Sequence, residues 1–209
     1  MHIEPGVLSS VKVAAANLTA LGLMAACVPS LVRRPAGLVR TLLAAAFFTL
    51  CMQAFHLKVG PSELHFVGAM PVYLLFGLVP TVVGFALGLL IQGLLLEPAD
   101  LVHLSVNTLS LALPLLLVHA AIGRRLAKVD LAAVLRLDGA YYAGVTAMVG
   151  FWLAMGEQPA ALADWARFAA SYLVVVLLEP VLTVALLAVA RQVKALPGVA
   201  VCLDLRPTH

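Results

Sequence analysis

The chain is 209 residues long, 63% apolar and only 11% charged, with a formal net charge of +3 and a mean hydropathy of +1.07. Soluble domains are about 45–50% apolar and about 25% charged, so a water-soluble globule of this composition would lack the polar groups to cover its surface. The long Leu/Ala-rich runs do not alternate every second residue as a transmembrane β-barrel requires. The chain therefore reads as all-α, a polytopic integral membrane protein. At roughly 20 residues per span it has room for about six to eight helices and for no separate soluble catalytic or nucleotide-binding domain. No GxxxxGK[ST] phosphate loop occurs, so the chain itself is not expected to hydrolyse ATP.

Apolar runs separated by Pro, Gly and charge clusters predict seven transmembrane helices, over 7–29, 38–56, 64–78, 80–96, 101–122, 139–156 and 166–192. The third and fourth are separated by a tight turn at Gly77–Pro80, since one helix over 64–96 would be too long for a single span. With the N-terminus outside and the C-terminus cytoplasmic, ten of the thirteen Lys/Arg fall on or near the inner side. They are Arg33, Arg34, Arg40, Arg124, Arg125, Lys128, Arg136, Arg191, Lys194 and Arg206, which agrees with the positive-inside rule. The same topology puts Glu4, Glu63, Glu97, Asp100, Glu157 and Asp164 outside, together with His2, His56, His65 and His103. Residues 1–195 are expected to form a single transmembrane domain, and 196–209 a short, loosely ordered cytoplasmic tail. Cys27, Cys51 and Cys202 are scattered and read as apolar packing residues.

The opening Met1-His2-Ile3-Glu4-Pro5-Gly6 carries the sharpest chemistry. It lacks the Lys/Arg-rich start of a secretory signal, and the bulky His2 opposes removal of Met1, so these residues are expected to persist in the mature protein. The amine of Met1, the backbone nitrogen of His2 and the imidazole of His2 close adjacent five- and six-membered rings on one cation. Binding through a deprotonated amide favours a square-planar site for a metal such as Ni(II) or Cu(II) and leaves a fourth corner open. His65 in Gly60-Pro61-Ser62-Glu63-Leu64-His65-Phe66-Val67-Gly68 is one candidate for it; His56 and His103 are others.

The start MHIEPG resembles the MHI-x-x-G opening of the CbiM/NikM-type substrate-binding (S) components of energy-coupling factor (ECF) ABC transporters for cobalt and nickel. GPSELHFVG stands where that family has a glycine/serine-rich loop with a metal-binding histidine. Leu90-Ile91-Gln92-Gly93-Leu94-Leu95, Ser105-Val106-Asn107-Thr108-Leu109-Ser110 and Leu177-Leu178-Glu179-Pro180-Val181-Leu182-Thr183 are similar to its LxQALLF, ANVFN and VEGxLT stretches. The resemblance implies that Met1, His2 and His65 bind Ni2+ or Co2+ as transported ligand, with no catalytic cofactor. It assigns Asn107, Ser110 and Glu179 supporting positions. It also implies a transmembrane coupling (T) subunit and cytoplasmic ATPase subunits as partners, with or without a small accessory membrane subunit. The expected setting is the lipid of a bacterial or archaeal cytoplasmic membrane, and no nucleic acid. This chain departs from the pattern at Leu64, Ser110 and Pro180, where the family has a cysteine, an asparagine and a glycine.

Two further residue readings remain open. Glu179 lies near the middle of the last span, where an ionised side chain is costly and so a functional candidate; a hydrogen-bond network under the site, a subunit contact or a protonated interhelical acid all fit. Ala16 and Ala20 place small residues at helical spacing, for a partner helix or for internal packing. The rival functions are a metal-sensing or metal-independent scaffold derived from the same family, and an intramembrane metal-dependent hydrolase using His119 or Glu179. No HExxH pair supports the latter.

Overall fold

The computed structural model describes residues 6–59, 62–126, 128–157 and 161–205. Among them are eight α-helices and one β-hairpin, in the order α1 (Ser10–Arg33), α2 (Ala36–Ala54), β1 (His56–Val59), β2 (Ser62–His65), α3 (Ala69–Phe76), α4 (Leu78–Leu95), α5 (Leu104–Ala121), α6 (Leu131–Ala154), α7 (Leu162–Val193) and α8 (Val199–Cys202). Single 3-10 segments, Pro98–His103 and Gly123–Arg125, lead into α5 and out of it. Five of the segments are long and apolar enough to cross a membrane: Ser10–Arg33, Ala36–Ala54, Leu78–Leu95, Pro98–Arg125 and Leu162–Val193. The 24-residue α6 is equally long but carries Asp138, Tyr141 and Tyr142 on its buried side.

The third predicted span departs most from expectation. Over 64–78 only Ala69–Phe76 is helical, and eight residues rise about 12 Å, less than half of a bilayer core. The residues before it pair as an antiparallel hairpin with His56 opposite His65, Leu57 opposite Leu64, and Val59 opposite Ser62. The strands run Leu64–Val67 back into the bundle: Leu64, His65 and Val67 are buried, as is every residue of α3. Two glycines permit this path. Gly68 enters α3 with φ +62°, and a Cβ there would stand 2.9 Å from Cys51 Sγ. Gly77 breaks α3 from α4 with φ +87°, within the turn the sequence predicts. The sixth predicted helix also begins earlier, at Leu131, where Asp130 caps it by accepting a hydrogen bond from Ala133 N at 2.9 Å.

α2 and α4 are the most extensively packed helix pair. Gly84 and Gly88, four apart on one face of α4, let the α2 backbone approach; a Cβ on Gly84 would stand 2.7 Å from the Ala44 Cβ, and one on Gly88 2.5 Å from the Phe48 ring. In a membrane, where lipid removes the hydrophobic drive between helices, such close backbone contact supplies the attraction. α6 and α7 pack through Tyr142 and Tyr172, stacked at 4.9 Å between ring centroids. α1 is peripheral: Ala16 and Ala20 are buried toward the bundle, α5 being the helix it packs most against, while Val11, Leu18, Leu21 and Val32 are exposed. The small-residue stripe on α1 therefore serves internal packing.

The stretch after Leu196, expected to be loose, is packed as far as Leu205. Asp204 N donates to Leu75 O at 2.7 Å. Arg40 reaches across to it, with Nη1 3.2 Å from Asp204 Oδ1 and Nε donating to Val201 O at 3.0 Å. The chain end thereby ties α2, α3 and α8 at one end of the bundle. At the opposite end Glu157 N donates to Val7 O at 2.9 Å, and Lys12 Nζ donates to Met155 O at 2.7 Å. The approach to α1 is thus fixed to the α6–α7 connection.

Candidate functional site

His65 is the last residue of β2 and is 4% exposed. The sequence places it at the outer edge of the membrane; within the protein it is enclosed by the bundle, because β2 leads directly into the buried α3. Its Nδ1 lies 3.3 Å from the carbonyl of Met52 in the last turns of α2. A carbonyl only accepts, so this contact puts the hydrogen on Nδ1 and the lone pair on Nε2. Metal-binding histidines are commonly oriented by such a bond from the far nitrogen to a backbone carbonyl. The Tyr172 side chain of α7 lies against the His65 backbone. His56, the alternative candidate, is the cross-strand partner of His65 in the hairpin register. His103 is buried at the start of α5.

The segment after His65 is held from below by Glu179. That side chain is fully buried near the middle of α7. Its Oε1 accepts a hydrogen bond from Met70 N at 2.9 Å, and the Gly68 N–H also points to the carboxyl. Tyr142 OH donates to Oε2. The first N–H groups of a helix have no partner within it and carry the positive end of its dipole. A carboxylate is therefore the natural cap for an α3 that begins inside the membrane protein. Of the readings open for Glu179, the observed contacts are those of a hydrogen-bond network beneath the loop of His65. Sequence reasoning did not find Met52, Tyr142 or Asp138. A backbone carbonyl leaves no trace in the sequence, whereas Asp138, the acid within the α6 span, is a signal of the same kind as Glu179.

Asn107 and Ser110 share α5 but do different things. Asn107 is buried and lines a small gap with Gln92 and Asp100, where α4 ends and α5 begins. Gln92, from the stretch similar to LxQALLF, is 2% exposed, and neither its amide nitrogen nor its amide oxygen has a hydrogen-bond partner among the described residues. Ser110 Oγ donates to Val106 O at 2.9 Å and accepts from Trp152 Nε1 at 2.9 Å, which ties α5 to α6. His119 is bonded to Tyr73 OH at 2.7 Å through Nδ1. Among the described residues no three His, Cys, Asp or Glu side chains gather as a metal cluster. Met1 and His2 lie outside the described residues.

A family model described as CbiM, the cobalt uptake substrate-specific transmembrane region, matches residues 2–196. The chain belongs to the CbiM family. It is accordingly a multi-pass membrane component of cobalt uptake, a transporter part of a kind that works with other subunits. No curated protein and no solved structure matches the chain.

Proposed function

We propose that the protein is the substrate-binding subunit of an energy-coupling factor transporter and captures Ni2+ or Co2+ at the outer face of the cytoplasmic membrane. The ion is held by the Met1 amine, the His2 backbone nitrogen and imidazole, and His65 Nε2. The observation that carries this reading is the His65 Nδ1 to Met52 carbonyl contact at 3.3 Å, which aims one nitrogen of a buried, fixed ring for coordination. The tie between Val7 and Glu157 supports it further by anchoring the first segment at the end of the bundle from which the hairpin folds inward. The chain passes the membrane seven times, N-out and C-in, with the extended Leu64–Val67 stretch plus α3 as the third pass. Non-helical backbone at membrane depth is acceptable where protein surrounds it, and here it does. A T subunit and cytoplasmic ATPases supply the energy, with or without a small accessory membrane subunit. Asn107 holds the N-terminal segment.

Metal analysis of purified protein bearing its native first residue tests the proposal. One equivalent of Ni2+ or Co2+ is expected, lost on adding a residue before Met1 and strongly weakened in His65→Ala, but retained in His56→Ala and His103→Ala. Full binding by the extended protein discards the chelate, and reversed alanine effects discard His65 as fourth ligand. A chain that binds no metal with its native start is the metal-independent scaffold instead.

A further inference from the structure

The side chain of Asp138, on α6, is completely buried, and among the described residues no N–H or O–H group donates a hydrogen bond to either of its oxygens. Asp138 lies one turn before Tyr142 on the same buried face of α6, and Tyr142 OH donates to Glu179 Oε2, so the other fully buried carboxyl, that of Glu179, is its neighbour across the α6–α7 contact. Two carboxylates cannot bond to each other, because both only accept. Among the described residues the groups that face the pair are neutral: the N–H groups of Gly68 and Met70 ahead of and within α3, Cys51 from α2, Tyr141 and Tyr142 from α6, and Tyr172 from α7. No ion pair reaches either acid among the described residues. Like-charged carboxyls sharing one site do not both ionise, and a single proton between them turns repulsion into a hydrogen bond.

We propose that Asp138 and Glu179 form a proton-binding site inside the bundle, with one proton held between them at neutral pH. Asp138 carries the hydrogen and donates it to Glu179. Glu179 keeps its charge for the Met70 N–H and the Tyr142 hydroxyl, the two donors already on it. The proton thus links α6 to the carboxylate that caps α3, and its loss sets two charges against each other at the joint of α3, α6 and α7. A hard metal cation is the other way to neutralise two carboxylates, but it requires several converging oxygens. Here both Glu179 oxygens are engaged by protein donors.

Infrared difference spectroscopy of the purified full chain in detergent, without added transition metal, reads this site directly. One protonated carboxyl per chain is expected at neutral pH, with its carbonyl band shifted in D2O and unaltered when sodium is replaced by choline. Asp138→Asn should abolish the band while keeping helix content, since the amide donates to Glu179 where the acid did. Absence of the band in the parent protein, two protonated carboxyls, or a band that vanishes on adding sodium each overturns the proposal. So does a folded Asp138→Asn protein that retains the band. Because the parent spectrum alone can overturn the proposal, the test survives a variant that fails to fold. It is also independent of whether Met1, His2 and His65 bind metal.

Discussion

Glu179 and Met70 are 109 positions apart in the chain and joined by a 2.9 Å hydrogen bond from the Met70 N–H to the Glu179 carboxyl. The bond fixes where α3 begins, and α3 begins four residues after His65. A side chain in the last long helix therefore sets the position of the loop that offers the imidazole.

Glu179→Ala leaves the Met70 N–H and the Tyr142 hydroxyl buried without their acceptor. Each such group costs about 1–3 kcal/mol, so a marked fall in thermal stability in detergent is expected. Glu179→Gln keeps a carbonyl oxygen of the same reach and should lose distinctly less. Equal stability of the two variants would mean that the carboxyl does not cap α3.

The Met52 carbonyl dictates a tautomer. Nitrogen NMR of the metal-free protein labelled at histidine should show His65 as the Nδ1–H form, the less common one for a free neutral imidazole. An Nε2–H signal for His65 would remove the orienting bond, and with it the structural support for His65 as ligand.

The long helices were legible because hydropathy over about 20 residues is a strong signal, and the break at Gly77 was legible from Gly-x-x-Pro. The third pass was not. Leu64–Phe76 is as apolar as a helix, but it is short, buried on all sides and partly extended, and an apolar run of that length does not declare its backbone. His65 and Glu179 were readable as candidates, the first from the family motif and the second as a charge in a lipid-depth helix. The contacts that hold them were not readable, since they come from Met52, Met70 and Tyr142 on three other helices. The close approach of α2 to α4 was written in Gly84 and Gly88, although the alanine-rich background hid it.

Ser110 stands where the resembling family has an asparagine, and its hydroxyl is the acceptor for Trp152 Nε1 at 2.9 Å. Ser110→Ala should cost about 1–3 kcal/mol, because the indole N–H is then buried unpaired. Trp152→Phe removes that donor, so adding Ser110→Ala to Trp152→Phe should cost little more. A double-mutant cycle in thermal unfolding reads the coupling; additive losses would show that the two side chains do not depend on each other.

Gly77 joins two constraints that separate variants can divide. Its φ of +87° and ψ of 170° lie in a region that is essentially confined to glycine and costs other residues about 1–3 kcal/mol. A Cβ would also lie 2.5 Å from Asp204 Oδ2 in the packed chain end. Gly77→Ala should therefore destabilise by more than the backbone penalty alone. Asp204→Ala by itself removes an ion pair with Arg40 in which the aspartate is half exposed, worth about 1 kcal/mol or less. Combined with Gly77→Ala it should recover the steric part of the loss and leave the backbone part. If Asp204→Ala restores none of the stability of Gly77→Ala, the chain end does not press on the α3–α4 joint and residues 199–205 do not brace it.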